Sequence, residues 1–289
     1  MYAMRALTLV SLWTFQALSL HAGRMNAYWL YDLPHWLFAA IVVVLFVTLS
    51  LGGVFATKTW VRKLHLTDHS HNDIVGYFLA FVTVVYGITL GLVAVGTWDN
   101  YATVQAQTDG EAQIVASMYR DAGAYDDPQR TQLRQDLKTY LKEVVTQDWP
   151  QQRRGIVPSA SGPILDQFET DLMSVKAGSR TSDIIQAEIF KQYNRLVEAR
   201  RSRLRSVVSH LPGAVWALVI LGGLITVAVT WFFDVKSLGM HLWMTGLSAA
   251  LLGLVIFLIG TLDSPYRGTA SIGPQPYQML YDPRVTTQQ

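Results

Sequence analysis

The chain has 289 residues, of which 51% are hydrophobic and only 15% charged, with a formal net charge of +2 and no cysteine. An average soluble domain carries about 25% charged residues, and here the shortage is gathered: residues 36–57, 74–98, 212–233 and 239–262 contain no Asp, Glu, Lys or Arg. The missing thiols exclude disulfides, thiolate nucleophiles, iron–sulfur clusters and Cys-type zinc sites, and the small net charge speaks against nucleic-acid binding.

Each charge-free segment is long enough to cross a bilayer, which takes about 20 apolar residues. The fold class expected is an all-α integral membrane protein with four transmembrane helices and a helical domain between helices two and three. The sequence contains no Gly-rich phosphate loop, no His-Glu-x-x-His helix and no Gly-x-Ser-x-Gly elbow, so neither an enzyme nor a cofactor is expected.

In chain order, Arg5 and the apolar run Ala6 to Leu20 look like a signal-peptide core, but Ser19 to Gly23 makes a poor cleavage site. Residues 1–24 read as an N-terminal extension or signal-like segment, with Met25 preferred as the start. Residues 25–98 hold the first transmembrane pair, 99–211 the helical domain, 212–262 the second pair and 263–289 the C-terminal tail. With an even number of spans, both termini and the domain share one side. Arg24, Arg195, Arg200, Arg201, Arg203, Arg205 and Arg267 flank the spans there, against Lys58, Arg62, Lys63 and Lys236 opposite. Positive charge is retained inside, so the domain and termini are expected to be cytoplasmic.

The second span carries Gly76, Gly87, Gly91 and Gly96. Small residues let helices approach closely, which suits both ordinary bundle packing and a pore-lining helix. No Gly or Pro interrupts Thr97 to Asp109, so this helix is expected to run on into the domain. Ahead of it, His65, His69, His71, Asp68 and Asp73 lie within nine residues. Imidazole and carboxylate suit zinc, nickel or copper, with His65, His69, His71 and Asp73 as the candidate ligands. The plainer reading has Asn72 or Asp73 capping the second span.

Within the domain, Asp127-Pro128 reads as N-cap and first turn of a helix bearing Leu133, Leu137, Tyr140, Leu141, Val144 and Val145. A Pro, Gly and Ser-rich break from Pro150 to Gly162 should end it. A shorter helix carries Ile164, Leu165, Phe168, Leu172 and Met173. Ser182 or Asp183 then caps a long helix whose stripe runs Ile185, Ile189, Tyr193, Leu196, Val197, Leu204, Val207, Val208 and Leu211 toward the third span. Arg200, Arg201, Arg203 and Arg205 form a basic cluster at the domain's membrane end, read as anchoring to anionic headgroups or as an anion-attracting ring. The domain has equal numbers of acidic and basic residues, so no general affinity for polyanions follows.

Coupled transport usually needs a titrating side chain at membrane depth, and the spans offer only His241, near the start of the fourth. A passive pore needs none, since apolar constrictions can gate by dewetting.

Tyr28-Trp29-Leu30-Tyr31-Asp32-Leu33-Pro34, His71-Asn72-Asp73-Ile74-Val75-Gly76 and Leu262-Asp263-Ser264-Pro265-Tyr266-Arg267-Gly268 together resemble a bacterial membrane-protein family described as bestrophin-like, or domain of unknown function 4239. The resemblance covers residues 25–280. True bestrophins are pentameric anion channels with four spans per subunit and a helical cytoplasmic domain between spans two and three. Their second span ends in a motif that Trp98-Asp99-Asn100-Tyr101 is similar to. Aligned there, the resemblance places Ala80, Val84 and Ile88 at the apolar pore neck, on one helix face. Bestrophin necks are largely aromatic, so small residues here imply a wider neck or one built from Tyr77 and Phe81. No acidic run reproduces the calcium clasp of animal bestrophins.

The function this implies is a homo-oligomeric, pentameric passive channel of the bacterial inner membrane for an inorganic anion such as chloride, with membrane lipid as its surroundings. The alternative is a non-conducting membrane protein whose helical domain binds a partner or senses membrane state.

Overall fold

The computed structural model describes residues 33–63, 69–175, 180–235, 237–268 and 270–281, and among them there is no strand. In chain order the helices are α1 (His35–Lys63), α2 (His69–Asp121), α3 (Gln129–Glu143), α4 (Trp149–Arg153), α5 (Gly162–Ser174), α6 (Arg180–Ser206), α7 (Gly213–Thr230), α8 (Leu238–Leu262) and α9 (Gln275–Tyr281). Helices α1, α7 and α8 and the first part of α2 are long and apolar enough to span a membrane, matching the four charge-free segments. Residues 1–32 lie outside the description, and with them the signal-like segment and the Tyr28 to Asp32 part of the first family-like motif.

The spans pack where glycine lets them meet. A methyl group on Gly253 of α8 would sit 3.1 Å from the Val43 backbone of α1, and one on Gly222 of α7 would collide with the Tyr86 ring of α2. Tyr86 also donates its hydroxyl to the Val219 carbonyl at 2.7 Å, satisfying a polar group that hydrocarbon would otherwise penalise. Phe46, Leu90, Val227, Ala249, Ile256 and Ile259 fill the bundle around these contacts. His241 is buried against α7, with Nε2 3.0 Å from the Thr230 carbonyl that the helix end leaves open.

Helix α2 has 53 residues, about 80 Å at the 1.5 Å rise of an α-helix. It passes Gly110 without interruption and leaves the bundle to become the central support of a second core. There Val104, Val115 and Met118 of α2 meet Leu137 and Tyr140 of α3, Phe168 and Leu172 of α5, Ile189 and Leu196 of α6 and Tyr277 of α9. The two cores are joined by one continuous rod.

Several local expectations change. Asp127 is not the N-cap of α3, a position that Pro128 holds; its carboxylate accepts from the Thr131 hydroxyl at 2.6 Å and from the Arg130 guanidinium. Pro150 does not end the helical run either. The chain passes from α3 through a π turn (Val144–Asp148) into α4, with Pro150 in the first turn of α4, where its missing amide is harmless. The break comes at Gly155, whose φ of 73° suits a residue without Cβ. Helix α6 already includes Ser182 and Asp183, so neither is its cap. On α5 and α6 the stripes rotate slightly: Met173 and Val208 are exposed, and Arg203 is fully buried.

Candidate functional site

Helix α2 presents two faces at membrane depth. The inner face carries Val75, Tyr86, Leu90 and Thr97, buried against α7 and α8. The outer face carries Tyr77, Ala80, Phe81, Val84, Ile88, Leu92 and Val95, all exposed within the single chain. Val84 is 60% and Ile88 62% exposed, so the three positions of the expected neck share one uncovered apolar stripe. At Gly76, Gly87, Gly91 and Gly96 a methyl group would likewise meet nothing within 4 Å among the described residues. Among the described residues, close approaches between the spans instead fall at Gly53, which abuts the Trp231 ring, and at Gly222, Gly223 and Gly253.

Both ends of the span are pinned. At the start, the Asn72 amide donates to the Asp234 carbonyl at 2.8 Å and accepts from the Asp234 amide at 3.0 Å, while His71 Nε2 lies 3.0 Å from the Phe232 carbonyl. Because α2 begins at His69, Asn72 and Asp73 fall inside its first turn and do not cap it; Asn72 ties it to the α7–α8 turn. Asp73 is exposed. Among the described residues no group of three or more His, Asp and Glu side chains could hold a metal ion; His65 and the side chain of His69 lie outside the description.

At the other end Trp98 and Tyr101 stack with centroids 6.4 Å apart, and Tyr101 donates its hydroxyl to the Ala270 carbonyl at 2.7 Å. Asp99 is exposed and Asn100 half-buried. Asp263, just past the fourth span, accepts from the Leu211 amide at 2.7 Å and from the Trp216 indole at 3.1 Å. That carboxylate fastens the entry of the third span to the exit of the fourth.

Beyond the membrane section, α2 is held by a buried ionic cluster. Glu111 of α2 receives Arg203 Nε at 2.8 Å, Arg203 Nη2 at 3.2 Å and the Tyr140 hydroxyl at 2.5 Å. Arg203 Nη2 also lies 3.6 Å from Asp148, which accepts from Ser161 at 2.5 Å; Ser161 in turn accepts from Arg200 at 2.8 Å. Burial disfavours the Arg203 cation, but Glu111 beside it reverses that and holds its pKa well above the usual guanidinium range. Burial, then the Glu111 charge, pushes the Tyr140 hydroxyl well up, keeping it a donor.

The basic cluster therefore divides. Arg203 points inward to two carboxylates, Arg200 is half-buried on Ser161, and Arg201 and Arg205 are exposed. Arg203 was missed as a core residue, although its position was legible: it lies seven residues after Leu196 and four before Val207, both buried on the same face of α6 or its continuation. Glu111 likewise follows Val104 by seven residues on the inner face of α2.

A second carboxylate group links α3 and α5. Gln132 Nε2 lies 3.2 Å from both Asp136 and Asp171. Burial, with the Asp171 carboxylate beside it, pushes the Asp136 pKa up to about 7.

A family model for the bestrophin-like domain matches residues 44–277. Two solved structures of a bacterial bestrophin homologue from Klebsiella pneumoniae, both point variants, resemble the chain with TM-scores of 0.62 at 14% and 11% identity, covering 84% and 86% of it and 99% and 98% of their own lengths. A third, described as a membrane protein, gives a TM-score of 0.64 at 12% identity, covering 86% of this chain and 97% of its own. No curated protein matches. The similarity to solved structures is one of fold, and the chain belongs to the bestrophin-like family.

Proposed function

We propose that the protein is a passive anion channel of the bacterial inner membrane, assembled from several copies with α2 of each lining a central pore. The observation that carries this reading is the outer face of α2: an apolar, charge-free stripe through Ala80, Val84 and Ile88 that is left exposed among the described residues. Such a face can form a hydrophobic constriction around an axis. The bestrophin-like fold supplies the precedent for five copies, for inorganic anions such as chloride, and for a cytoplasmic domain and termini.

Gly76, Gly87 and Gly91 fit the assembly, because their open surfaces let a neighbouring copy's helix approach α2. Trp98, Asp99, Asn100 and Tyr101 would then form the cytoplasmic end of the membrane section. Exposed Arg201 and Arg205, on the same helix as buried Arg203, would raise the local anion concentration near the cytoplasmic mouth. The absence of charged side chains from the spans favours passive flow over coupled transport.

Reconstitution tests it. Purified protein in liposomes is expected to dissipate a chloride gradient, with Val84→Ala and Ile88→Ala changing the rate. A stable oligomer that passes no anion across a range of pH and divalent-cation concentrations would contradict the proposal.

A further inference from the structure

Between α4 and the turn that follows the fourth span lies a cleft of about 750 Å³, lined by Trp149, Arg153 and Arg154 on one side and Arg267, Gly268 and Ser271 on the other. A smaller cavity of about 150 Å³ adjoins it through Arg267 and reaches Gln152 and His210. The position along the chain fixes its depth. Arg267 is five residues past Leu262, the last residue of the fourth span, and His210 is two before Pro212, where the third begins. The cleft therefore lies just beyond the ends of the third and fourth spans, on the domain side.

Its polar groups are unusual for a protein interior. Gln152 is 1% exposed, yet neither atom of its amide has a hydrogen-bond partner, and the indole N–H of Trp149, 2% exposed, has none either. Buried polar groups are normally satisfied, so an amide and an indole left open beside this cleft point to a polar ligand. Arg153 and Arg154 are exposed and have no carboxylate within ion-pair distance among the described residues. The backbone turns at Gly155 and then shows Ile156 and Val157 to solvent at 52% and 48% exposure, with Val208 at 61% nearby. Arginines beside uncovered aliphatic side chains, at the height of the bilayer surface, match a molecule with an anionic head and an apolar tail.

We propose that this cleft binds the phosphodiester headgroup of an anionic phospholipid, with Arg153, Arg154 and Arg267 on the phosphate and Ile156, Val157 and Val208 against the first part of the acyl chains. Arginine suits phosphate because its planar fork donates two parallel hydrogen bonds. The bound lipid would connect the α4–α5 loop to the ends of the third and fourth spans. The site is separate from the exposed Arg201 and Arg205 pair and does not depend on conduction.

The test uses the full chain, purified in detergent and stripped of lipid, with binding of dioctanoyl phosphatidylglycerol read by native mass spectrometry. Dioctanoyl phosphatidylcholine and inorganic phosphate serve as competitors. The expected result is a clear preference for phosphatidylglycerol over phosphatidylcholine and no displacement by phosphate. The Arg153→Gln/Arg154→Gln variant should lose about 30-fold in affinity, the effect of two basic residues at a membrane surface. An Arg201→Gln/Arg205→Gln variant should lose little. Equal losses in the two variants would mean diffuse surface charge and overturn the proposal. So would equal binding of the two lipids by the unmodified protein, or displacement by phosphate at similar concentrations, which marks a site for a free anion.

Discussion

Arg203 and Glu111, separated by 92 residues in the chain, meet through a two-pronged ion pair at 2.8 and 3.2 Å with neither side chain exposed. The pair clamps α6 to the pore-helix candidate α2 where that helix has left the bundle of spans. Arg203 faces two carboxylates and Glu111 only one cation, so the two positions should respond unequally to mutation. Breaking a buried pair by removing one partner costs about 3–5 kcal/mol. Arg203→Met, which strands both Glu111 and Asp148, is expected at the top of that range. Glu111→Gln, which leaves Asp148 to balance the guanidinium, should cost less. Thermal unfolding in detergent measures both; equal losses would show that Asp148 does not share the charge.

Asp136 makes the domain pH-sensitive. Its pKa is raised in the folded state to about 7, so the folded protein binds more protons than the unfolded chain between the ordinary carboxylate pKa, about 4, and 7. Stability from this group is therefore full at low pH and falls as pH rises through that window, with the penalty complete above about 7. Asp136→Asn should unfold at a higher temperature than the unmodified protein at pH 8, and the advantage should vanish at pH 4. The same comparison of melting temperatures shows the reverse trend if the carboxyl is instead held ionised.

Glycines of two kinds should separate in mutagenesis. Gly222→Ala puts a methyl group into the Tyr86 ring, and overpacking of this sort costs about 1–3 kcal/mol, so the protomer itself is expected to weaken. A methyl group added at Gly91 would meet nothing within 4 Å among the described residues, so Gly91→Leu is expected to leave the protomer's own packing intact. If a neighbouring copy packs there, this variant should lose its oligomeric state while keeping the monomer's helicity and spectrum, as size-exclusion chromatography with light scattering and circular dichroism would record.

Asn72 substitutes for a missing backbone pairing by bonding both the amide and the carbonyl of Asp234. Asn72→Ala leaves both backbone groups without this partner at the edge of the bundle, at about 1–3 kcal/mol. Asn72→Asp keeps the acceptor but loses the donor and should fall between. Melting temperatures of the three proteins give the order.

The spans were legible because hydrocarbon excludes charge over a whole segment, a signal that depends on no partner. The continuation of α2 was legible for a related reason, since no proline interrupts its spacing. Pro150 misled because its residue type suggested a break, while its place in the first turn of α4 makes it harmless. Arg203 and Glu111 could be placed on their inner helix faces from spacing alone. Their pairing could not, since it depends on how α6 docks on α2. The basic cluster looked continuous in sequence because neighbouring residues on a helix point in different directions: Arg201 and Arg205 stay outside where Arg203 turns in.

The central claim, that α2 surrounds a conducting pore, is tested most directly by cysteine substitution, which the cysteine-free chain allows without background. Each residue from Ile74 to Tyr101 is replaced singly, reconstituted, and treated with a water-soluble thiol reagent during chloride flux. Modification is expected to block flux at Ala80, Val84 and Ile88, repeating along one helix face, and to have no effect at Tyr86 and Leu90, which face α7 and α8. Flux unchanged at all three outer positions, or block at the inner ones instead, would contradict a pore lined by this face of α2.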